Sequence, residues 1–405
     1  MNFEKSLLLV IPTVFEKRDG RIHFDLDFSN NLEAYLKEFE TVTVACPLAP
    51  DPSGFPGTRL PDDIHGGDRI RTIVLPTPYR EDAYLFNRRS VSKLLAGEIK
   101  KSRYILISPH AFFDWSTLAA EICIRNDRKY NMESDWNWPK TTKYIWSQMP
   151  FGLNKLRKWL WFYYHLPKYM HCLKKSDLSL VQGEDVYNDY RAIAPNAHSV
   201  LNIQITENDR ISQERLHAKL EDIKQGRPLR LVYAGRAIEM KGPIHWLESL
   251  RQARELGGEF EAVWFGSGPM VSDMEAFIAR HQLHDKCRLM GMADRSVVFD
   301  AMRSADAFLF CHMGKESPRC LMEALASGAP LVGFGSDYSR GLVRDQGGGI
   351  FVEPNDSTAL ASVIVGLGRD VDKLRNLVAC AARSGRLLDR DTAIQNRIDL
   401  MKKFL

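Results

Sequence analysis

Short, mostly apolar runs of strand length alternate with segments of helical period along almost the whole chain, and no other feature restricts the fold so strongly. A strand open to water on one face alternates apolar and polar residues. A strand apolar throughout is covered on both faces, as in a parallel sheet flanked by helices. Leu7–Ile11 has this character; Thr41–Cys46 is a second strand, rich in β-branched residues, Arg69–Leu75, Tyr104–Ile107 and Leu178–Gln182 read as further strands, and Ala119–Asn126 continues the series. Asn30–Phe39 sets Leu32, Tyr35, Leu36 and Phe39 on one helical face, and Val91–Leu95 lies in another helix.

A second series follows Ile205. Leu229–Tyr233, Phe260–Phe265, Cys287–Met290, Ala307–Cys311, Leu331–Phe334 and Gly349–Val352 read as strands, with helices over Pro243–Leu256 and, after Gly266-Ser267-Gly268-Pro269, to about His281. Such alternation requires crossover connections and a parallel sheet. The expected class is therefore α/β, with two Rossmann-like doubly wound domains facing a cleft. The boundaries expected are 1–203, 204–385, and a C-terminal helix over 386–405 that packs back towards the first domain. Thr206–Arg227, charged and rich in turn residues, reads as a linker region containing a short helix. Open α/β sheets bind ligands outside the carboxyl ends of their strands.

Composition narrows the class. The 55 basic and 51 acidic residues leave a net charge of +4, too small for a dedicated nucleic-acid binder. The seven cysteines are scattered and form no C-x-x-C, which argues against a zinc site or a disulfide framework and suits a reduced cytoplasm. The N-terminal apolar run stops at Pro12, and no stretch of 18 apolar residues exists. Neither a signal peptide nor a membrane-spanning helix is expected.

Three local patterns in the second domain carry chemistry. Gly235-Arg236-Ala237-Ile238-Glu239-Met240-Lys241-Gly242 directly follows a strand. Its two cations suit a diphosphate, since arginine grips phosphate in a fork and lysine supplies a point charge. A solvated basic turn fits the same residues. In Cys311–Leu325, Pro318 suits the first position of a helix and Ser317 its N-cap, and the free N–H groups of a first turn attract anions. Glu316 and Glu323 are seven residues apart, about two turns, and so expected on one side. Glu323, set among apolar neighbours, needs a partner: a ribose diol or a buried arginine. Gly266-Ser267-Gly268-Pro269 permits a close backbone approach, a weaker signal.

In this order the three patterns, with Gly291 closing a strand, Ala305-Asp306, and the block Glu323-Ala324-Leu325-Ala326-Ser327-Gly328-Ala329-Pro330, resemble retaining glycosyltransferases of family 4, with the GT-B fold. The resemblance covers about Leu229 to Asp356. It implies that Arg236 and Lys241 hold a donor diphosphate, that Glu323 binds the ribose, and that the backbone near Arg288–Met290 receives the base. It gives Gly235, Gly266 and Gly268 to the same donor site, and turns Glu316, Pro318 and Arg319 towards the donor sugar and its phosphates. The family's first glutamate aligns with Lys315, and Glu316 stands one residue later, so either Glu316 takes that role in a shifted loop or Lys315 changes the sugar contact. In the first domain the implied glycine loop falls on Gly20, and the implied cleft residue on His110 or Asp127.

The resemblance also implies transfer of a sugar, with retention, from a nucleoside diphosphate-sugar to a glycan or lipid-linked glycan. The setting would be bacterial surface polysaccharide synthesis, without metal or cofactor. A nucleotide-sugar epimerase and a catalytically silent nucleotide-sugar-binding protein remain open readings.

The near-neutral total hides one asymmetry. Residues 136–176 contain no Asp or Glu, but hold Lys140, Lys143, Lys155, Arg157, Lys158, Lys168, Lys174 and Lys175 among several tryptophans and tyrosines. That mixture suits the headgroup layer of an anionic bilayer, and so peripheral attachment to the inner face of the plasma membrane. A helix with its aromatics in the core and its lysines in water is the competing reading.

Overall fold

The computed structural model describes residues 3–13, 15–49, 57–77, 79–109, 112–314 and 316–405, except the side chain of Gln148. The chain forms two compact units. One comprises residues 1–201 together with Asp391–Leu405, the other Asn202–Arg390.

In the first unit, β1 (Ser6–Val10), β4 (Thr41–Pro47), β6 (Ile70–Leu75), β7 (Tyr104–Ile107), β8 (Asn131–Ser134), β9 (Leu178–Gln182) and β10 (Ala197–Val200) form a parallel sheet. Its order is β10-β9-β8-β7-β1-β4-β6. Three short strands, β2 (Glu16–Arg18), β3 (Arg21–Asp25) and β5 (Thr58–Arg59), make a separate antiparallel ribbon. β1 shows why its run is apolar throughout. Leu7 and Leu9 enter one core with Leu32, Leu36 and Phe39, while Leu8 and Val10 enter the other with Leu95, Trp115 and Leu118. The helix Leu26–Glu38 begins four residues before the expected Asn30, because the Asp25 carboxylate accepts the Phe28 N–H at 2.9 Å and caps it.

Two expectations in this unit need correction. Ala119–Asn126 is not a strand; it belongs to the helix Trp115–Arg125, capped by Asp114. The strand of this part of the chain is β8, which the sequence reading passed over. A short continuous apolar run is shared by buried helices and buried strands, so length and period could not separate them.

The last helix, Arg390–Phe404, adds Ile394, Ile398 and Met401 to the core that contains Leu7 and Leu9. Its Arg397 is nearly buried and forms an ion pair with Glu133 of β8 at 2.6 Å, and also donates to the Leu201 carbonyl. The preceding helix runs to Arg386, so the break falls four residues later than expected.

The second unit holds β11 (Leu229–Ala234), β12 (Phe260–Phe265), β13 (Cys287–Gly291), β14 (Ala307–Phe310), β15 (Leu331–Phe334) and β16 (Gly349–Val352). All are parallel, in the order β13-β12-β11-β14-β15-β16. The stretch read as a linker forms the helix Gln213–Ile223, capped by Ser212. It is part of this unit: Lys219 donates to the Gly328 carbonyl at 2.7 Å. Arg227 binds the buried Asp306 through two N–H···O bonds of 2.6 and 3.0 Å.

Candidate functional site: the strand-exit edge of the second sheet

The order of the second sheet reverses at β11. From there the chain steps outwards through β12 to β13, and then returns to β14 on the other side of β11. The loops that leave β11 and β14 therefore diverge, and the space outside their carboxyl ends is where such sheets take ligands. The two strongest sequence patterns are these two loops.

Behind β11 the chain makes a short 3-10 turn at Glu239–Lys241, passes Gly242 in the left-handed region at φ +61°, and enters the helix Pro243–Glu255. Gly242 is required here, since a Cβ would lie 2.1 Å from the Cys311 carbonyl oxygen. The loops are also joined directly, by the Met313 N–H to the Met240 carbonyl at 2.9 Å. This lacing brings Lys241 to Glu316, whose Nζ and Oε1 are 2.6 Å apart. Both side chains are largely enclosed, at 11% and 25% exposure. Arg236 is exposed and forms no ion pair among the described residues.

Gly266 and Gly268 have a clear structural reason. Gly266 has φ +122°, and a Cβ on it would stand 2.1 Å from the Gly235 carbonyl oxygen. A Cβ on Gly268 would stand 2.4 Å from the Ala237 oxygen. The close approach is thus between the loops after β12 and β11, sealed by the Ala237 N–H to the Ser267 carbonyl at 3.0 Å. Gly266 N–H in turn donates to the Gly291 carbonyl at 2.7 Å, tying in the exit of β13. Arg288 and Met290 lie on that edge strand with their side chains exposed.

The helix after β14 spans Arg319–Ala326, with Pro318 as its N-cap and no side-chain cap bond. This corrects the expected start: Pro318 precedes the first turn, and Ser317 is not the N-cap. Glu316 consequently lies outside the helix, so two helical turns do not relate it to Glu323. The two carboxylates nonetheless act on the same neighbours. Burial pushes the Cys320 thiol up to about 12, with Glu323 and Glu316 adding to the rise. Burial, with Cys320, Glu323 and Glu316, also holds the Tyr338 phenol well above its usual range. Both glutamates therefore surround one small region with Lys241, whose charge opposes them at Cys320.

The sequence reading assigned no role to Tyr233 and His312. Tyr233 Oη and His312 Nε2 are 2.9 Å apart, directly under Gly235, where a Cβ would meet the phenol oxygen at 2.7 Å. Burial and the Lys241 ammonium hold the His312 imidazole well below its usual range, so it is neutral at neutral pH. The available signal was positional: Tyr233 lies near the end of β11 and His312 just past the end of β14, the two strands at the reversal point.

The first-domain candidates fare differently. His110 and Lys315 lie outside the described residues. Asp127 is exposed in the turn after the helix Trp115–Arg125, before β8, at the strand-entry edge. Its expected place at a strand's carboxyl end fell with the strand assigned there. Gly20 is the second residue of an Asp19-Gly20 hairpin turn between β2 and β3, with both residues at positive φ. That is the geometry such a two-residue turn demands, and nothing lies within 4 Å of its would-be Cβ. Among the described residues no group of three or more His, Cys, Asp or Glu is placed to hold a metal, and all seven cysteines are free.

Residues 215–383 match the family model described as glycosyl transferases group 1. The amylovoran biosynthesis glycosyltransferase AmsK of Erwinia amylovora is 25% identical over 48% of this chain and 49% of its own length. The putative colanic acid biosynthesis glycosyltransferase WcaL of Escherichia coli K12 is 30% identical over 37% of this chain and 39% of its own. The chain thus matches half or less of the length of these curated relatives. The structure of Anabaena Alr3699/HepE in complex with UDP has a TM-score of 0.67 at 15% identity, and covers 98% of this chain and 100% of that one. At that identity the likeness speaks for the fold, the GT-B class. The match to the glycosyl transferases group 1 model thus lies within the C-terminal unit, Asn202–Arg390.

Proposed function

We propose that the protein is a retaining glycosyltransferase of the hexosyltransferase type. It moves a sugar from a nucleoside diphosphate-sugar to a glycan or lipid-linked glycan in bacterial surface polysaccharide synthesis, acting from the cytoplasm at an anionic membrane surface. The observation that carries this reading is the Lys241–Glu316 pair at the reversal point of the second sheet, with the exposed Arg236 on the same loop as Lys241. The names of AmsK and WcaL support the surface-polysaccharide setting.

In this reading the donor diphosphate takes Lys241 from Glu316 and lies between Lys241 and Arg236. Fixed cations stabilise the charge that gathers on the diphosphate as the glycosidic bond breaks, and need no reorganisation at that moment. Glu316, released, faces the donor sugar; Glu323 takes the ribose; and the open edge at Arg288–Met290 receives the base. Cations serve in place of a metal ion.

A thermal-shift screen against UDP-, GDP-, ADP- and dTDP-sugars tests the donor site. A ligand at 100 times its Kd adds about 2.7 kcal/mol, a readily measured shift. Stabilisation by one nucleotide class is expected, and no shift with any of them contradicts the reading. Dependence of nucleoside diphosphate release on an acceptor separates a transferase from an epimerase or a silent binder.

A further inference from the structure

The acid-free segment folds as two helices, Trp138–Gln148 and Leu153–Lys175, joined by residues 149–152. At 100° per residue, the second helix carries two opposite apolar faces. Phe162, His165, Tyr169, Cys172 and Leu173 are buried in the core. Leu153, Leu156, Leu160, Tyr163 and Tyr164 lie on the other side and are 48–87% exposed. An apolar helix face is ordinarily covered, and here one of the two is not. The connection between the helices presents Phe151, fully exposed.

Between the helices lies a cavity of about 200 Å³, walled by Phe112, Trp136, Trp138, Trp146, Trp159 and Phe162. An apolar cavity of about 150 Å³ holds an aromatic ring, so this one accommodates a short stretch of hydrocarbon. Lys143 and Lys158 also line it. Lysines stand over the aromatic faces: Lys143 at 5.7 Å from the Phe162 ring centre, Lys155 at 5.6 Å from Trp146, and Lys168 at 3.9 Å from Tyr164. With no carboxylate from 136 to 176, the surface complements an anionic headgroup layer.

We infer that this helical hairpin is a lipid-binding element. Phe151 and the exposed leucines enter an anionic bilayer, and the aromatic cavity takes a chain segment of one bilayer lipid. The inference deepens, and rests on, the proposed attachment to an anionic surface, and needs no feature of the sugar-donor site. Among the described residues no helix is long and apolar enough to cross a membrane, so the hairpin engages the surface layer only.

The test uses the full chain and vesicles of phosphatidylcholine with or without phosphatidylglycerol, carrying plain or mid-chain brominated acyl groups. Flotation with the anionic vesicles alone is expected, with tryptophan quenching by the brominated chains. Lys143→Gln and Lys158→Gln should each weaken flotation about fivefold. Phe151→Asp, at a site with no packing to lose, should weaken it further. Thr142→Phe and Met149→Phe, which fill the cavity from two sides, should remove most of the quenching while flotation stays within about twofold. Quenching unchanged in both filled variants overturns the cavity assignment. Absence of flotation with anionic vesicles overturns the whole inference, and leaves the donor-site reading to be judged by nucleoside diphosphate release in vesicle-free buffer.

Discussion

Lys241 Nζ and Glu316 Oε1, 75 residues apart in sequence, lie 2.6 Å from one another across the two loops that diverge at the reversal point of the second sheet. The pair keeps the lysine's charge compensated in an enclosed place. It also makes the carboxylate a competitor for the group that the lysine is proposed to bind. Glu316→Gln keeps the shape and removes the competing charge. It should tighten binding of the nucleoside diphosphate alone, on the order of tenfold or less, because the lysine no longer has a charged partner to leave. Turnover should fall in the same variant. Calorimetry with the diphosphate and a steady-state assay check the two halves, and weaker diphosphate binding in Glu316→Gln contradicts the competition.

The glycines divide into those that the fold requires at the site and one that it requires elsewhere. Gly266→Ala drives a Cβ into the Gly235 carbonyl at φ +122°, and should cost about 2 kcal/mol or more and loosen the donor loops. Gly20→Ala meets open space and should cost about 1–2 kcal/mol through its left-handed φ alone. Its nucleotide affinity should be unchanged. Denaturant midpoints and nucleotide titrations of both variants test this; loss of nucleotide binding in Gly20→Ala would restore a site role for that residue.

Burial lowers the Lys219 ammonium from 10.5 to about 7, with Arg227 adding to the fall and Asp306 opposing it. Between about pH 7 and 10 the unfolded chain therefore binds a proton that the folded chain does not, and stability rises with pH across that window. Below pH 7 both states are protonated and the burial penalty is constant. Lys219→Met loses this slope, and also leaves the Gly328 carbonyl without its donor. The difference in melting temperature, native minus variant, should increase from pH 7 to pH 10; a flat difference contradicts the assignment.

Arg397 and Glu133 fasten the last helix to β8, and their side chains are only 7% and 12% exposed. Removing one partner strands the other, so Arg397→Leu should destabilise by about 3–5 kcal/mol. Arg397→Leu combined with Glu133→Gln should recover much of that loss. Equal destabilisation in the single and double variants, measured by chemical denaturation, would show that the charge is not the cause.

The second unit was legible almost strand by strand, because its strands are mostly apolar runs and β11, β12 and β13 end at or just before a glycine, Gly235, Gly266 and Gly291. β8 was not legible. Its sequence, Asn131-Met132-Glu133-Ser134, is polar at three of four positions, and the glutamate is tolerated inside only because Arg397 arrives from 264 residues away. The neighbouring apolar run went to a helix instead. At the site, residue types and spacing pointed to the two loops that the structure brings together, but not to the pairing of Lys241 with Glu316. That pairing depends on Gly242 and on the Met313–Met240 backbone bond, contacts between chain segments rather than within one. The Tyr233–His312 pair was invisible for the same reason.

The central claim is that the strand-exit site of the second unit binds and cleaves a nucleoside diphosphate-sugar for transfer. Its most direct test is the acceptor-dependent release of nucleoside diphosphate by the native protein and by Lys241→Ala, with the melting temperatures of both recorded. Release by the native protein is expected with one class of nucleotide-sugar. Lys241→Ala should lower it about 10²–10³-fold, as for loss of one charge-stabilising donor, with the fold intact. Near-native release by a folded Lys241→Ala would contradict the claim.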